Sequence, residues 1–250
     1  MDIHESYEII RKSQYLFSED DINFDIKQGL DIGDSIFSQN LTLAMYWIRR
    51  WKTVPPHALL YENTHLHRTC KSSVYGINYT LAMWWIFIVH TLPPKELLHD
   101  PTIQNNDGNT CAMMWAYYSH GNIPKELLHD PKIKNNQGLT CAMCWISARS
   151  SLPPTEILHD PTIQSNSGLT CAMYWIFRGN NSIPKELLHD PLIYDSTFKT
   201  LAMYWIQYNR SLPPENLLHS RHLFDAFGNN LRTYWKTYVH RKLPAILLQN

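Results

Sequence analysis

Apolar positions recur along the chain on two scales. Within a stretch such as Thr140 to Ile146, the residues Ala142, Trp145 and Ile146 fall at i, i+3 and i+4, the spacing that gathers side chains on one face of a helix. A threonine precedes each such stretch (Thr42, Thr80, Thr110, Thr140, Thr170 and Thr200). It suits an N-cap, because its hydroxyl can accept from the open amides of the first turn. A second, shorter apolar segment follows a proline at Pro94, Pro124, Pro154, Pro184 and Pro214. This predicts a second helix that begins at proline, where the missing N–H costs nothing, with Glu96, Glu126, Glu156 and Glu186 in its first turn. Paired apolar residues such as Leu127 and Leu128 give it a core face, and His-Asp-Pro ends it, since the residue before proline is pushed out of the α region. The remaining connector, Asp130 to Gly138 in one copy, is rich in Asn and Gly and predicts a tight turn.

On the longer scale the whole pattern returns every 30 residues: His99, His129, His159, His189 and His219 keep step, as do Trp85, Trp115, Trp145, Trp175, Trp205 and Trp235. A degenerate copy opens at Leu41, followed by an insertion within Tyr61–Asn78, and the last copy keeps its tryptophan but little else. The expected organisation is an N-terminal helical cap or arm over 1–35, a repeat array over 36–229 interrupted at about 61–78, and a capping repeat over 230–250. A single repeat cannot bury its own apolar face, whereas stacked repeats can. The expected fold is therefore all-α, an αα-solenoid of about six to seven helix-turn-helix repeats.

The segments Gly108–Thr110, Gly138–Thr140 and Gly168–Thr170, the leucine pairs Leu97–Leu98, Leu127–Leu128 and Leu187–Leu188, and the run Asp130 to Asn135 resemble the ankyrin repeat. They correspond to its G-x-T helix opening, its second-helix leucines and the lead into its turn finger. The period here is 30 against about 33 in ankyrin, and Thr-Cys-Ala-Met or Thr-Leu-Ala-Met stands in place of Thr-Pro-Leu-His. The resemblance implies an intracellular binding scaffold that uses its fingers and its concave first-helix face. Repeat arrays of this kind also serve as effectors and host-interaction proteins.

Composition narrows the function. Lys+Arg and Asp+Glu both number 22, and a net charge of zero argues against a protein dominated by nucleic-acid electrostatics. With 44% hydrophobic and 18% charged residues the chain can build a core. No apolar run reaches the ~18 residues needed to cross a bilayer, and the opening residues lack a secretory layout. Five cysteines imply no disulfide framework. A cytoplasmic setting is expected. No phosphate-binding loop, dinucleotide fingerprint, nucleophile elbow or His-Glu-x-x-His motif occurs, so a non-enzymatic role without cofactor is expected. A site hidden in the irregular N-terminal third is the remote alternative.

The repeats also separate fixed from varying positions. Ala, Met, Trp and Ile of the first helix are nearly constant and read as core. The other side of the helix varies in triplets spaced i, i+3, i+4, which predicts a Tyr-rich stripe with scattered Arg. Its candidate partner-binding residues are Tyr46, Trp84, Phe87, Met114, Tyr117, Tyr118, Tyr174, Phe177, Arg178, Tyr204 and Tyr208, since Tyr, Trp and Arg dominate interface hot spots. A protein is the expected partner. Basic residues after the helix (Arg49, Arg50, Lys52, Arg149, Arg178, Arg210, Lys236, Arg241, Lys242) leave nucleic acid as the second class.

Two ladders invite a metal reading and fail it. Successive His-Asp pairs, and Cys111, Cys141 and Cys171, should stand about 10 Å apart, whereas zinc needs its ligands at ~2.0–2.3 Å. The histidines are expected to satisfy backbone groups at the helix end. Cys141 and Cys144 have C-x-x-C spacing but lie inside a helix. His65, His67 and Cys70 in the insertion could supply three zinc ligands of four, and that loop is also a candidate recognition loop. Glu5 to Leu16 reads as an amphipathic helix with Tyr7, Ile10 and Tyr15 inward, before the acidic run Glu19-Asp20-Asp21.

Overall fold

The computed structural model describes residues 43–55, 70–71 and 78–248. The expected arm over 1–35, Thr42, and most of the insertion with His65 and His67 lie outside the described residues, as do the side chains of Tyr46, Arg50 and Cys70. The chain divides into two compact units, Met1–Leu127 and Leu128–Asn250. In the first, α1 (Leu43–Trp51) packs on α2 (Leu81–Val89), and α2 packs on α3 (Cys111–Tyr118). A two-residue antiparallel pair, β1 (Cys70–Lys71) with β2 (Asn78–Tyr79), precedes α2. In the second unit α4 (Cys141–Arg149), α5 (Cys171–Phe177), α6 (Leu201–Asn209) and α7 (Leu231–Tyr238) each pack on the next in sequence. Neighbour-on-neighbour packing of helices in sequence order is what the 30-residue repeat requires.

The helices start where the sequence indicates. Thr80, Thr110, Thr140 and Thr170 hold extended backbone and accept from the amide three residues on, at 3.2–3.3 Å; Asn230 caps α7 in the same way. The Met and Ile of the repeated Ala-Met-x-Trp-Ile segment in α2, α4, α5 and α6 are completely buried, and its Ala and Trp nearly so. Each tryptophan also holds down the loop that follows it. Trp47, Trp85, Trp145 and Trp205 donate their indole N–H to the hydroxyl of Thr53, Thr91, Ser151 and Ser211, at 3.0–3.1 Å and always six residues on. Where that position has no hydroxyl, the indole turns to backbone: Trp115 reaches the carbonyls of Gly121 and Asn122, and Trp235 that of Arg241. The helices α2, α4 and α6 end on a residue in the left-handed region, His90, Ser150 or Arg210, whose amide satisfies a carbonyl of the last turn.

The second helix expected in each repeat is not an α-helix. Among the described residues it is a 3₁₀ turn of three residues in most copies: Lys95–Leu97, Lys125–Leu127, Thr155–Ile157, Lys185–Leu187 and Ala245–Leu247. The preceding proline is extended (ψ 143–153) and accepts from the amide three residues on, so it flanks the turn instead of starting a helix. Only six residues separate Pro94 from Pro101. The second proline forbids α geometry just before it, and so short a segment cannot repay helix nucleation. Leu98 is already extended. One apolar residue of the pair is therefore deeply buried (Leu97, Leu127, Ile157, Leu187), while the next is only partly covered.

After the turn, Asp-Pro-x-Ile forms a β-turn in which the Asp carbonyl accepts from the Ile amide at 3.1 Å (Ile103, Ile133, Ile163, Ile193), with Asp and Pro in the positions such turns favour. The connector then closes a finger. The amides of Asn105, Asn135, Ser165, Asp195 and Asp225 bond to the carbonyl four residues on, while their side-chain oxygens accept from the amide of that same residue. In the second unit successive fingers join through backbone: Asn166 N–H to Gln137, Ser196 N–H to Ser167, and Ala226 N–H to Thr197, at 2.8–3.0 Å. Gly168 makes this approach possible, because it has φ +79 and a Cβ there would stand 2.6 Å from the Ser196 nitrogen.

Candidate interaction surface

A helix that is apolar on every side is embedded on every side, and this divides the predicted stripe. In α4 every residue from Cys141 to Ile146 is buried, so only the last turn reaches solvent. The first member of five triplets (Trp84, Met114, Cys144, Tyr204 and Tyr234) accordingly lies inside. Trp84 is 6% exposed and donates to the Met45 carbonyl at 2.9 Å, Met114 is 2% exposed, and Tyr204 is 8% exposed. These three are part of the packing and present no ring to a partner. Tyr174 is half-buried, and Tyr46 lies on α1 with its side chain outside the described residues.

The last helical turn carries the accessible candidates. In the first unit Phe87 stacks on Tyr79 (centroids 5.8 Å) and meets Tyr118 edge-on at 4.9 Å, with Tyr117 beside Tyr118 at 6.3 Å. In the second unit Phe177, 51% exposed, meets Tyr208, 37% exposed, edge-on at 5.2 Å. Tyr208 also stacks on Tyr204 at 6.0 Å, and Arg178 is exposed at the end of α5. Within each unit the structure thus brings the predicted last-turn residues together as one aromatic cluster.

Tyr204 and Tyr234 are held from behind. Their hydroxyls donate to the carboxylates of Asp195 and Asp225 at 2.7 and 2.9 Å. Burial first, and the adjacent carboxylate second, raise both phenols far above their ordinary range. Burial alone would lift the Asp225 carboxyl, but donors from Asn229, Tyr234 and Phe227 outweigh it and keep the group below the usual range. Both aspartates stand nine residues before their tyrosine, at the finger position that is Asn or Ser in other repeats. That spacing is the sequence signal for the tether.

A second set of exposed rings escaped the stripe. Tyr194, Phe198, Phe224 and Phe227 lie on the fingers of the last two repeats, with Phe227 77% exposed and Tyr194 5.1 Å from Phe198. Lys134 and Gln164 occupy the place of Tyr194 and Phe224 in earlier repeats, and Gly168 that of Phe198. A polar-to-aromatic change at a fixed place in the repeat could have revealed them.

The His-Asp pairs close the repeat on itself. His99, His159 and His189 bring Nε2 to 2.7–2.8 Å from the capping hydroxyls of Thr80, Thr140 and Thr170, while Nδ1 lies 2.7–2.8 Å from the carbonyl of the next residue. A carbonyl can only accept, so Nδ1 carries the proton and Nε2 accepts from threonine. Burial holds His159 and His189 below the ordinary histidine value, which favours this neutral form. The Asp side chains serve elsewhere, accepting from the amide two residues on (Thr102, Lys132, Thr162, Leu192) at 2.9 Å. The expectation that these pairs satisfy backbone groups thus holds for Nδ1 and the carboxylate, while Nε2 serves the threonine cap.

The cysteine ladder is chemically quiet. Burial pushes the thiols of Cys111 and Cys171 up to about 12 and raises Cys141 as well. They are protonated near neutral pH and are poor nucleophiles and metal ligands. Among the described residues no cluster of His, Cys, Asp or Glu could hold a metal ion, and no helix is long and apolar enough to cross a membrane. Compared with known families and curated proteins, the chain matches no family model and no curated sequence.

Proposed function

We propose that the chain is a non-enzymatic repeat scaffold that binds a protein partner, with the last-turn aromatic residues and the finger tips as its contact surface. The observation that carries this reading is the exposed pair Phe177 and Tyr208, with Arg178 beside them, on helices whose other apolar residues are mostly buried by packing. Aromatic and Arg side chains on a rigid support lose little conformational freedom on binding, and they dominate measured hot spots. Phe87, Tyr117 and Tyr118 form the corresponding cluster of the first unit.

Kinship with the ankyrin repeat is part of the proposal. Its support is the Gly-x-Thr entry to three of the first helices, at Gly108, Gly138 and Gly168, and the finger that precedes each. The single 3₁₀ turn in place of a second α-helix sets this array apart within that reading.

The test is partner capture by cross-linking and mass spectrometry with the intact protein and with the variants Y117A, F177A and Y208A. The expected outcome is loss of the captured protein from folded variants. Undiminished capture by variants that melt like the parent excludes this surface.

A further inference from the structure

Resting on that reading, we infer that the surface of the second unit accepts an acidic, partly apolar peptide segment laid across the C-terminal ends of α5, α6 and α7. Every Asp, Glu, Lys or Arg from Trp175 to Ile183, Trp205 to Leu212 and Trp235 to Leu243 is a Lys or Arg. Arg178 and Arg210 cap α5 and α6, Lys236 lies on α7 and Arg241 just beyond it; all four are exposed. The acidic residues of these repeats lie instead on the 3₁₀ turns and fingers, as with Glu186, Asp190, Asp195 and Glu215. The helices pack on their neighbours at a spacing of about 8–10 Å, and Arg178, Arg210 and Lys236 fall at different positions of the repeat, so each helix end contributes a cation without forming one strict row. An extended peptide advances about 3.3 Å per residue, and carboxylates roughly three positions apart match that interval.

What lies between the cations favours a peptide over a nucleic acid. Phe177, Tyr208 and Leu212 are exposed among them and suit apolar side chains. Phe177 and Tyr208 meet edge-on, which leaves less open ring face than base stacking uses. Cations also offset the carbonyl ends of helices, so the test must separate binding from stability.

The experiment is fluorescence anisotropy on the full chain with three labelled probes. The first is a peptide of about twelve residues with Glu at every third position among Leu and Ser, the second has Gln for each Glu, and the third is an oligouridylate of equal charge. The expected result is saturable binding of the Glu peptide, with the Gln peptide at least about tenfold weaker. R178E/R210E weakens the Glu peptide about tenfold or more at a temperature where the variant is still fully folded, since charge pairs act on recognition. F177A/Y208A weakens it too. Equal affinity for the two peptides, indifference to R178E/R210E, or tighter binding of the oligouridylate through the same arginines overturns the inference. Loss of partner capture in F177A and Y208A alongside charge-independent peptide binding overturns it alone. Indifference of both measurements to F177A and Y208A overturns the surface itself.

Discussion

Two neighbouring repeats of the second unit, 170–199 and 200–229, carry nearly the same helix and close it by different means. In the first, Asp190-Pro191 ends the 3₁₀ turn after three residues, and His189 swings in to take the hydroxyl proton of Thr170. In the second, Ser220-Arg221 replaces Asp-Pro. With no proline to stop it, the turn runs on as Glu215–Ser220, His219 faces solvent, and Ser220 is completely buried. Ser220 then pairs with the Thr200 hydroxyl at 3.2 Å and donates to the Leu217 carbonyl at 3.0 Å. Thr200, unlike Thr170, makes no side-chain bond to its own helix. A single proline therefore decides which side chain reaches the cap, by setting how far a 3₁₀ turn runs.

The comparison holds only if the two repeats are equivalent away from this closure. Trp175→Ala and Trp205→Ala should each cost about 3–5 kcal/mol, read from urea unfolding, because both rings are buried alike and both tie down the following loop. Clearly unequal losses would mean that the difference extends into the core. The fingers give the next largest effect. Gly168→Ala should cost about 2–4 kcal/mol, from left-handed strain and a collision with the next finger. Gly228→Ala, with φ +76 and nothing within 4 Å of its added Cβ, should lose only the strain, about 1–2 kcal/mol.

The closure itself is tested by His189→Ala, expected to cost about 1–2 kcal/mol because the Thr170 hydroxyl loses its acceptor. His219→Ala should stay within about 0.5 kcal/mol. Acid acts on the same bond. Burial holds His159 and His189 below the ordinary value of about 6.5, so the unfolded chain takes up protons first. Their contribution is complete above that value and is lost as pH falls through the folded-state value. H159Q/H189Q should flatten the fall in melting temperature below pH 6.5, and an unchanged slope would show that other groups govern it. A small energetic change is likewise expected from S220D/R221P, about 1 kcal/mol or less by exchange of one polar closure for another. Its readout is the nitrogen NMR spectrum of His219, which should acquire the Nδ1–H tautomer of its inward counterparts.

Much of this design is legible in the residues. The period, the threonine caps and the Ala-Met-Trp-Ile core follow from local pattern, and the structure keeps them. The second helix was misread because Glu-Leu-Leu between two prolines looks helical at each position but is too short to nucleate. The stripe was overdrawn for a different reason. Periodicity shows which residues share a face but not how many faces a neighbour covers, and Trp84, Met114 and Tyr204 are covered because these helices have almost no free side. Side-chain pairs at long offsets were readable in principle. Trp205 with Ser211 six residues on, and Asp195 with Tyr204 nine on, recur in other repeats, but their meaning emerges only when loop and helix are folded together.

The tie from Trp205 to Ser211 and the bond from His189 to Thr170 each begin and end within a single 30-residue copy. Joins between copies use the face of one helix, main-chain atoms of the fingers and a few side-chain bonds, such as Gln164 to the Tyr194 carbonyl and Tyr204 to the Asp195 carboxylate. Such an arrangement can lengthen or shorten by whole copies through duplication or deletion of coding sequence, with the ties inside each copy left whole. The number of copies is thereby open to change in evolution or in the laboratory, at a cost confined to the two surfaces that meet at the new junction.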